Sequence, residues 1–333
     1  MSVHWREDVL GPGYEQLTMP LRPESEGVDR APVATLVRHL PARRRWWQRA
    51  LPLHDVDVLY VHGWSDYFFQ TGLARFWAAR GARFFALDLR RYGRSIREGD
   101  EIGYITDLAA YDEEIELALE AMRASATRPR RLVLMGHSTG GLVLSLWANR
   151  NPHAATALVL NSPWLEFQFG PHTRAALAPL TELRTKLDPL ATTPKIDFGF
   201  YSKAQQLVFD EEDPYEYDER WRPLQASPAH LAWLHAALEG HAQVDAGLAV
   251  DAPVCTLLSA RSLAPVRWSD ELTEVDSVLS VEHVAKAALK LGPSVTIERI
   301  DGALHDVFLS RRPARQQAYA RLDRWIRGII LAA

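Results

Sequence analysis

The chain has 333 residues, of which 47% are hydrophobic and 24% charged, and its formal net charge is −4. That composition is typical of a globular protein with enough apolar residues for a large core. The small negative charge argues against a general nucleic-acid binder, which would usually carry a basic excess. The single cysteine, Cys255, excludes an internal disulfide framework and a cysteine-ligated zinc site. Because Cys255 lies in an apolar run, we interpret it as a buried, unreactive thiol.

The first eight residues contain no apolar region typical of a secretory signal. The long uncharged stretch at 132–149 has glycine and polar residues at its centre, which is poor chemistry for a lipid-facing helix. We therefore expect a cytoplasmic protein without stable membrane insertion. The run at 43–49, Arg-Arg-Arg-Trp-Trp-Gln-Arg, is interpreted as a solvated loop, with weak contact to a membrane surface as the alternative.

In chain order, short β-type runs alternate with helical patterns, which predicts an α/β fold with a largely parallel sheet covered by helices. The predicted strands are 33–40, 56–61, 83–89, 132–135, 157–160, 254–258 and 295–300. The helical patterns are 68–80, 108–123, 142–149, 230–238, 281–291 and 315–330. The alternation stops at 164–228, an aromatic-rich segment that we interpret as a cap inserted into a core formed by 1–163 and 229–333.

The strongest chemical signal is Gly136-His137-Ser138-Thr139-Gly140, which lies between a predicted strand and a predicted helix. This G-x-S-x-G pattern in that context is typical of a nucleophile turn that points a serine hydroxyl out of the sheet. Glycines are needed on either side because side chains there would collide across so tight a turn. We therefore predict that Ser138 is a catalytic nucleophile.

A nucleophilic serine needs a base and an orienting acid, which in this type of fold follow in the order Ser, Asp or Glu, His. His305 follows the last predicted strand and fits the position of the base. Asp276 is the favoured acid and Asp270 the alternative, because both follow the strand that contains Cys255. Other histidines are excluded as the base by their position in the chain or within a helical pattern: His230, His235, His241 and His283. We interpret Asp306 as a structural acceptor.

A developing oxyanion is usually held by backbone amides. Thr139, directly after the nucleophile, and Trp64, after the predicted strand at 56–61, are the expected donors. We expect the substrate to contact residues beside these elements and at the start of the cap: His62, Gly63, His137, Trp164 and Phe167. The aromatic cap suggests an apolar acyl or alkyl group in the substrate, with the alternative that its aromatic residues form the cap's own core.

The His62-Gly63 pair, the turn at 88–95, the nucleophile motif and the late His305 together resemble the α/β-hydrolases. The chain is most similar to the branch that contains serine aminopeptidases, monoacylglycerol lipases and lysophospholipases. The turn at 88–95 departs from the common pattern at Arg91, where glycine is usual. The resemblance implies eight mostly parallel strands, a cap inserted after the sixth strand, and hydrolysis through an acyl-serine intermediate without metal or cofactor.

The expected partner is a small-molecule acyl ester, which makes an ester hydrolase the favoured function. A serine aminopeptidase is the alternative, with the carboxylates of Glu211, Glu212 and Asp213 placed to hold a substrate ammonium. A ligand-binding homologue without catalysis is a more remote alternative. Dehalogenases and epoxide hydrolases of similar architecture carry aspartate where Ser138 stands, which argues against both.

Overall fold

The computed structural model describes residues 4–24, 31–41, 50–194 and 198–332, so the run at 43–49 lies outside the described residues. Within them, nine strands form one sheet. Their bounds are β1 Arg6–Glu7, β2 Tyr14–Pro20, β3 Val33–His39, β4 Val56–Val61, β5 Arg83–Asp88, β6 Arg131–His137, β7 Ala157–Asn161, β8 Val254–Ser259 and β9 Val295–Ile300. Each of the predicted strand runs corresponds to one of these strands.

The α-helices of the described ranges are α1 Thr71–Ala78, α2 Asp112–Ala124, α3 Thr139–Arg150, α4 Pro171–Leu187, α5 Phe200–Leu207, α6 Leu231–Ala246, α7 Val281–Ala288 and α8 Arg312–Trp325. A π-helical turn at Ile326–Ile330 extends α8. Among the described residues, no helix is both long and apolar enough to cross a membrane.

The order of strands across the sheet is β1-β2-β3-β5-β4-β6-β7-β8-β9. The pairings from β5 through to β9 are parallel, whereas β1, β2 and β3 join the sheet in antiparallel pairs. This mostly parallel sheet confirms the predicted fold class. It has one strand more than the resemblance implied, because the two-residue β1 pairs with the outer side of β2.

Side chains of the central strands alternate between two apolar layers, one on each face of the sheet. In β4, Leu59 and Val61 belong to one buried cluster, and Val58 and Tyr60 to the other. Because both faces are covered, such a strand is hydrophobic throughout its length. Cys255 is fully buried in the second cluster, and burial raises the pKa of its thiol, so the structure confirms a buried thiol.

The parallel topology brings the carboxyl ends of β4, β6, β8 and β9 to one edge of the sheet. Ligands of open α/β sheets bind at that edge. Between β7 and β8 the chain leaves the sheet and forms α4, α5 and α6 before it returns. The position of this excursion agrees with the segment predicted to be a cap, and the boundaries at 164 and 228 stay a prediction.

Candidate active site

Ser138 occupies the turn between β6 and α3 with φ 50° and ψ −117°. Left-handed backbone of this kind is strained for a residue with a side chain, and it persists only where neighbouring groups hold it. The Ser138 amide donates to the Asn161 carbonyl at 3.1 Å, while its own carbonyl accepts from the amides of Gly141 at 3.0 Å and Trp164 at 2.9 Å. The serine is therefore fixed between β7 and α3.

Two glycines of the motif are required by close backbone approach. A Cβ at Gly136 would lie 2.6 Å from the Gly140 carbonyl oxygen. A Cβ at Gly140 would lie 2.4 Å from the carbonyl oxygens of both Val61 and His62. Side chains at these two positions would thus collide with backbone across the tight turn, which is the reason predicted from the sequence for the two glycines.

His305 follows β9 and is hydrogen-bonded to a buried carboxylate. Its Nδ1 lies 2.9 Å from Oδ2 of Asp276, and the two residues are 3% and 1% exposed. The other oxygen of Asp276 accepts from the amides of Val278 and Leu279, each at 2.8 Å. A carboxylate held in this way fixes the His305 ring with Nδ1 as donor, which leaves Nε2 to accept a proton. Asp270 is exposed, and the carboxylate bonded to His305 is that of Asp276.

The loop after β4 lies against the nucleophile. A Cβ on Gly63 would be 3.1 Å from Cβ of Ser138, so the bare backbone at Gly63 permits this approach. Nδ1 of His62 bonds with the Gly63 carbonyl at 2.7 Å, and its Nε2 accepts from the Leu89 amide at 3.1 Å. Because a trans peptide points its C=O and N–H in opposite directions, this bond turns the Trp64 amide away from His62.

Neither the Trp64 amide nor the Thr139 amide has an acceptor among the described residues. Thr139 is the first residue of α3, where an amide has no partner within the helix. Unpaired backbone donors beside a nucleophilic serine can accept the charge of an oxyanion. Both residues therefore retain the expected capacity to donate.

Two polar residues beside the motif support it. His137 bonds through Nδ1 to the Asn161 carbonyl at 3.0 Å, and its ring centre is 5.0 Å from that of His305. Burial lowers the pKa of His137, so the ring is neutral at neutral pH. Asp306 accepts from the Asn161 side chain at 2.7 Å and from the Phe308 amide at 2.9 Å. Asp306 is therefore a structural acceptor, as predicted.

Ser138 and His305 both line a cavity of about 760 Å³. Aromatic and aliphatic side chains supply much of its wall: Phe169, Phe198, Phe200, Leu263, Val266, Val278 and Leu279. Gly63 and His137, two of the predicted substrate contacts, also line it, as does Trp64. A cavity of this size, apolar with a few convergent polar groups, is typical of a small-molecule site.

Three expected substrate contacts do not line this cavity, and we correct their assignment. Trp164 is 7% exposed and packs in the core, stacked on Trp233 with ring centres 5.6 Å apart and in edge contact with His241 at 4.6 Å. Phe167 is 6% exposed and belongs to the same core cluster. His62 directs its ring nitrogens to backbone groups. All three position elements around the site.

The polar residues of the cavity wall that sequence reasoning did not assign to the site include Asp66, Tyr201 and Arg222. Tyr201 accepts from the Asp306 amide at 3.0 Å, and its ring lies 5.6 Å from that of His305. Asp66 and Arg222 form an ion pair at 3.0 Å. Asp66 lies shortly after the His62-Gly63 pair in the sequence, and this position could have indicated that it lies near the site. No local pattern marks Arg222.

The acidic run at 210–213 lies elsewhere and does not line the cavity. The carboxylates of Asp210, Glu212 and Asp213 form ion pairs with arginines of α1 and α8, namely Arg75, Arg312 and Arg315. Glu211 is exposed. These arginines neutralise the charges of the acidic run, and the ion pairs attach the inserted segment to α1 and α8. The structure therefore does not bring the proposed ammonium-binding carboxylates to Ser138.

The mostly parallel sheet, the strained serine turn and the buried Asp276–His305 pair define the protein as an α/β-hydrolase. The family model for the serine aminopeptidases of family S33 matches residues 54–311, so the chain belongs to that family. This match covers most of the chain.

Several of the proteins that this chain resembles are monoacylglycerol lipases. One from Mycolicibacterium smegmatis is 26% identical over 153 residues, which are 45% of this chain and about half (52%) of the relative. A soluble variant of the Saccharomyces cerevisiae monoglyceride lipase, solved with a substrate analogue, has a TM-score of 0.62 at 14% identity and covers 98% of this chain and 94% of its own. The Paleococcus ferrophilus monoacylglycerol lipase has a TM-score of 0.60 at 18% identity, covering 83% and 95%. These structural likenesses show the shared fold.

Proposed function

We propose that the protein is a serine hydrolase that cleaves a carboxylic ester through an acyl-serine intermediate. The observation that carries this proposal is the 2.9 Å hydrogen bond between His305 and Asp276 in a site that also contains the strained Ser138. A base oriented by a buried carboxylate is what activates a serine hydroxyl, a weak nucleophile by itself.

In the proposed reaction, Oγ of Ser138 attacks the ester carbonyl carbon while its proton passes to Nε2 of His305. The π electrons of the carbonyl move onto its oxygen, which becomes an oxyanion that the amides of Trp64 and Thr139 stabilise. Collapse of this intermediate breaks the bond to the alcohol, which takes the proton from His305. Water then repeats the sequence, with His305 as base, to release the acid and regenerate Ser138. Asp276 holds the imidazole in orientation throughout.

The cavity wall supports an ester with an apolar acyl or alkyl group. Its apolar residues offer favourable burial to a hydrocarbon chain. Among the described lining residues Asp66 is the one carboxylate, and its charge is balanced by Arg222 at 3.0 Å. A substrate ammonium would need an unbalanced carboxylate, so the wall favours an ester over an aminopeptide. The similarity to monoacylglycerol lipases supports the same choice.

We also propose that residues 164–228 form a cap over this cavity. Phe169, Phe198, Phe200 and Tyr201 of this segment line the same cavity as Ser138 and His305. The cap then determines which acyl groups fit, whereas the sheet supplies the catalytic groups.

A panel of p-nitrophenyl esters of increasing acyl length, compared with aminoacyl p-nitroanilides, tests the proposal. We expect kcat/KM to be higher for the esters and to rise with chain length as apolar surface is buried. Ser138→Ala should abolish this turnover. Faster turnover of the anilides would favour the aminopeptidase, and absence of turnover on either set would favour a ligand-binding homologue.

A further inference from the structure

Residues 63–66, which we call the oxyanion loop, contain a second strained position. Ser65 has φ 50°, and it directly follows Trp64, whose amide is the proposed oxyanion donor. A residue with a side chain keeps such a conformation only when its surroundings enforce it. The contacts that enforce it therefore also decide where the Trp64 amide points.

Those contacts come from residues 222–227, which we call the tether and which belong to the proposed cap. Nε1 of Trp64 donates to the Ser227 carbonyl at 3.0 Å. The Ser227 amide donates back to Oγ of Ser65 at 3.2 Å. Nε of Arg222 lies 3.0 Å from Oδ1 of Asp66. Trp64 and Ser65 are thus hydrogen-bonded to the tether through their side chains, and Asp66 forms an ion pair with it.

These contacts lie in an environment that strengthens them. The Asp66 and Arg222 side chains are each 9% exposed, and a buried carboxylate without its partner would be strongly destabilised. The Trp64 ring packs on Trp233 of α6 with ring centres 4.0 Å apart, and on Tyr92 at 5.8 Å. The oxyanion loop is therefore held from the cap side as well as by His62.

We propose that the tether positions the oxyanion donor, so that the cap sets the rate of the chemical step in addition to shaping the substrate cavity. The indole of Trp64 and the guanidinium of Arg222 are positioning residues in this account. The inference rests on the proposed function. Displacement of a catalytic donor by a fraction of an ångström is sufficient to slow a reaction, because the donor must meet charge that develops only in the transition state.

Trp64→Phe tests the positioning role, since it removes the indole N–H but keeps an aromatic ring against Trp233. Trp325→Phe is the matched control. Trp325 lies in α8, and its Nε1 donates to Oγ1 of Thr296 in β9 at 3.2 Å, so this change also removes a hydrogen-bonded indole N–H. We expect Trp64→Phe to lower kcat on a p-nitrophenyl ester about tenfold with little change in KM, a loss smaller than complete removal of an oxyanion donor. The control should retain the wild-type kcat.

A trifluoromethyl ketone with a matching alkyl chain provides a second readout. Its carbonyl carbon is attacked by Oγ of Ser138, the proton passes to His305, and the resulting oxyanion occupies the proposed hole. If the tether positions the donors, Trp64→Phe should weaken this inhibitor by about the same factor as kcat, as expected for an interaction made in the transition state. Arg222→Lys, which keeps a cation opposite Asp66, should retain more of kcat than Arg222→Gln.

The outcomes separate this inference from the proposed function. An active wild type, an inactive Ser138→Ala, and a Trp64→Phe variant with unchanged kcat and inhibitor affinity would overturn the positioning role alone. A rise in KM without loss of kcat would also overturn it, because that pattern indicates lost substrate binding. A wild-type protein without ester hydrolysis, or Ser138→Ala with full activity, would overturn both.

Discussion

At the scale of single residues, the site depends on Asp276 as an acceptor. Both of its oxygens accept hydrogen bonds, one from His305 and the other from backbone amides. These bonds keep the carboxylate from rotating and hold it against the His305 ring. A neutral amide in its place would present an N–H to His305 and reverse the tautomer that Ser138 needs. The role of Asp276 is thus to set a proton position.

We predict that Asp276→Asn lowers kcat by about 10³–10⁴-fold while the protein stays folded. Asp270→Asn is the matched control, because Asp270 is exposed at the start of the short helical turn Asp270–Thr273. The measurement is steady-state hydrolysis of a p-nitrophenyl ester by both variants, with circular dichroism to check folding. Loss of activity in Asp270→Asn alone would transfer the role of the acid to Asp270.

The contacts of Arg91 explain why an arginine can stand where glycine is usual in the turn at 88–95. Its φ of 63° is left-handed, the conformation for which glycine is favoured. The strain is offset by the Arg91 guanidinium, which donates to the Tyr104 carbonyl at 2.7 Å and pairs with Glu24. A side chain with strong local partners can therefore occupy a position where glycine is common.

At the scale of elements, the approach of α3 to β4 is the tightest requirement of the site. A Cβ on Gly140 would meet carbonyl oxygens of β4 and its following residue at 2.4 Å. Backbone cannot yield as a flexible side chain can, so the helix or the loop would have to move. That movement would displace the Trp64 and Thr139 amides relative to Ser138.

Gly140→Ala should therefore lower the free energy of unfolding by about 1–3 kcal/mol, the usual effect of an overpacked position. Gly328→Ala is the control, because a Cβ there would have no neighbour within 4 Å. Since alanine favours a helix, we expect the control to be neutral or slightly stabilising. Urea denaturation of both variants checks this, and equal stabilities would contradict the close approach.

A buried histidine in α6 makes stability depend on pH. His241 is fully buried, bonds through Nε2 to the Trp164 carbonyl at 2.9 Å, and has its pKa lowered by burial from 6.5 to about 3. As pH falls below 6.5, the unfolded chain takes up a proton that the folded chain does not. The stability present above pH 6.5 is therefore lost progressively as pH falls towards 3.

His241 should account for about 2 kcal/mol of lost stability between pH 7.5 and pH 5.0. His241→Gln, which keeps a donor for the Trp164 carbonyl, should show a loss smaller by that amount. His172→Gln, at an exposed position of α4, is the control and should behave as wild type. Urea denaturation at the two pH values is the measurement. Identical pH dependence in His241→Gln and wild type would contradict the assignment.

At the scale of the whole molecule, the inserted segment is fixed to the core outside the cavity that contains Ser138. Asp210 accepts from Arg312 at 2.8 Å and 2.7 Å and from Arg315 at 2.6 Å, which anchors the chain beyond α5 to α8. Asp213 pairs with Arg75 of α1. Within the proposed cap, the acidic run is thus tied to the core by charge, and the tether at 222–227 contacts the oxyanion loop.

Loss of this anchor should loosen the segment without unfolding the sheet. We predict that Asp210→Asn increases amide hydrogen exchange in peptides covering 208–220 and leaves exchange in β4 and β6 unchanged. Glu211→Gln is the control, because Glu211 is exposed beside it. Hydrogen exchange followed by mass spectrometry is the measurement. Increased exchange throughout the sheet would show that the anchor holds the fold as a whole.

Sequence patterns predicted the fold well where the signal was local, and they also singled out residues that the structure brings together in the candidate site. The elbow motif, the order of Ser138, Asp276 and His305, and the apolar strands of the central sheet depend on short stretches of chain. The missed β2 is a strand near the sheet edge that contains the polar residues Glu15, Gln16 and Thr18 and ends in a proline, so its apolar signal is weak.

The remaining errors concern contacts between distant parts of the chain. An aromatic residue at the start of the inserted segment can face a cavity or the core, and Trp164 packs in the core because Trp233 and His241 of α6 lie against it. The Asp66–Arg222 pair likewise joins separate elements. Such contacts arise from tertiary packing, which no local periodicity records.

Labelling with a fluorophosphonate probe tests the central claim, that Ser138 is an activated nucleophile, most directly. Attack by Oγ on phosphorus with loss of fluoride should leave one phosphonylated residue, and peptide mass spectrometry should locate it at Ser138. Ser138→Ala should remain unlabelled, whereas Ser202→Ala, a change at another serine of the cavity wall, should label as wild type does. An unlabelled wild-type protein, a modified residue other than Ser138, or undiminished labelling of Ser138→Ala would contradict the account.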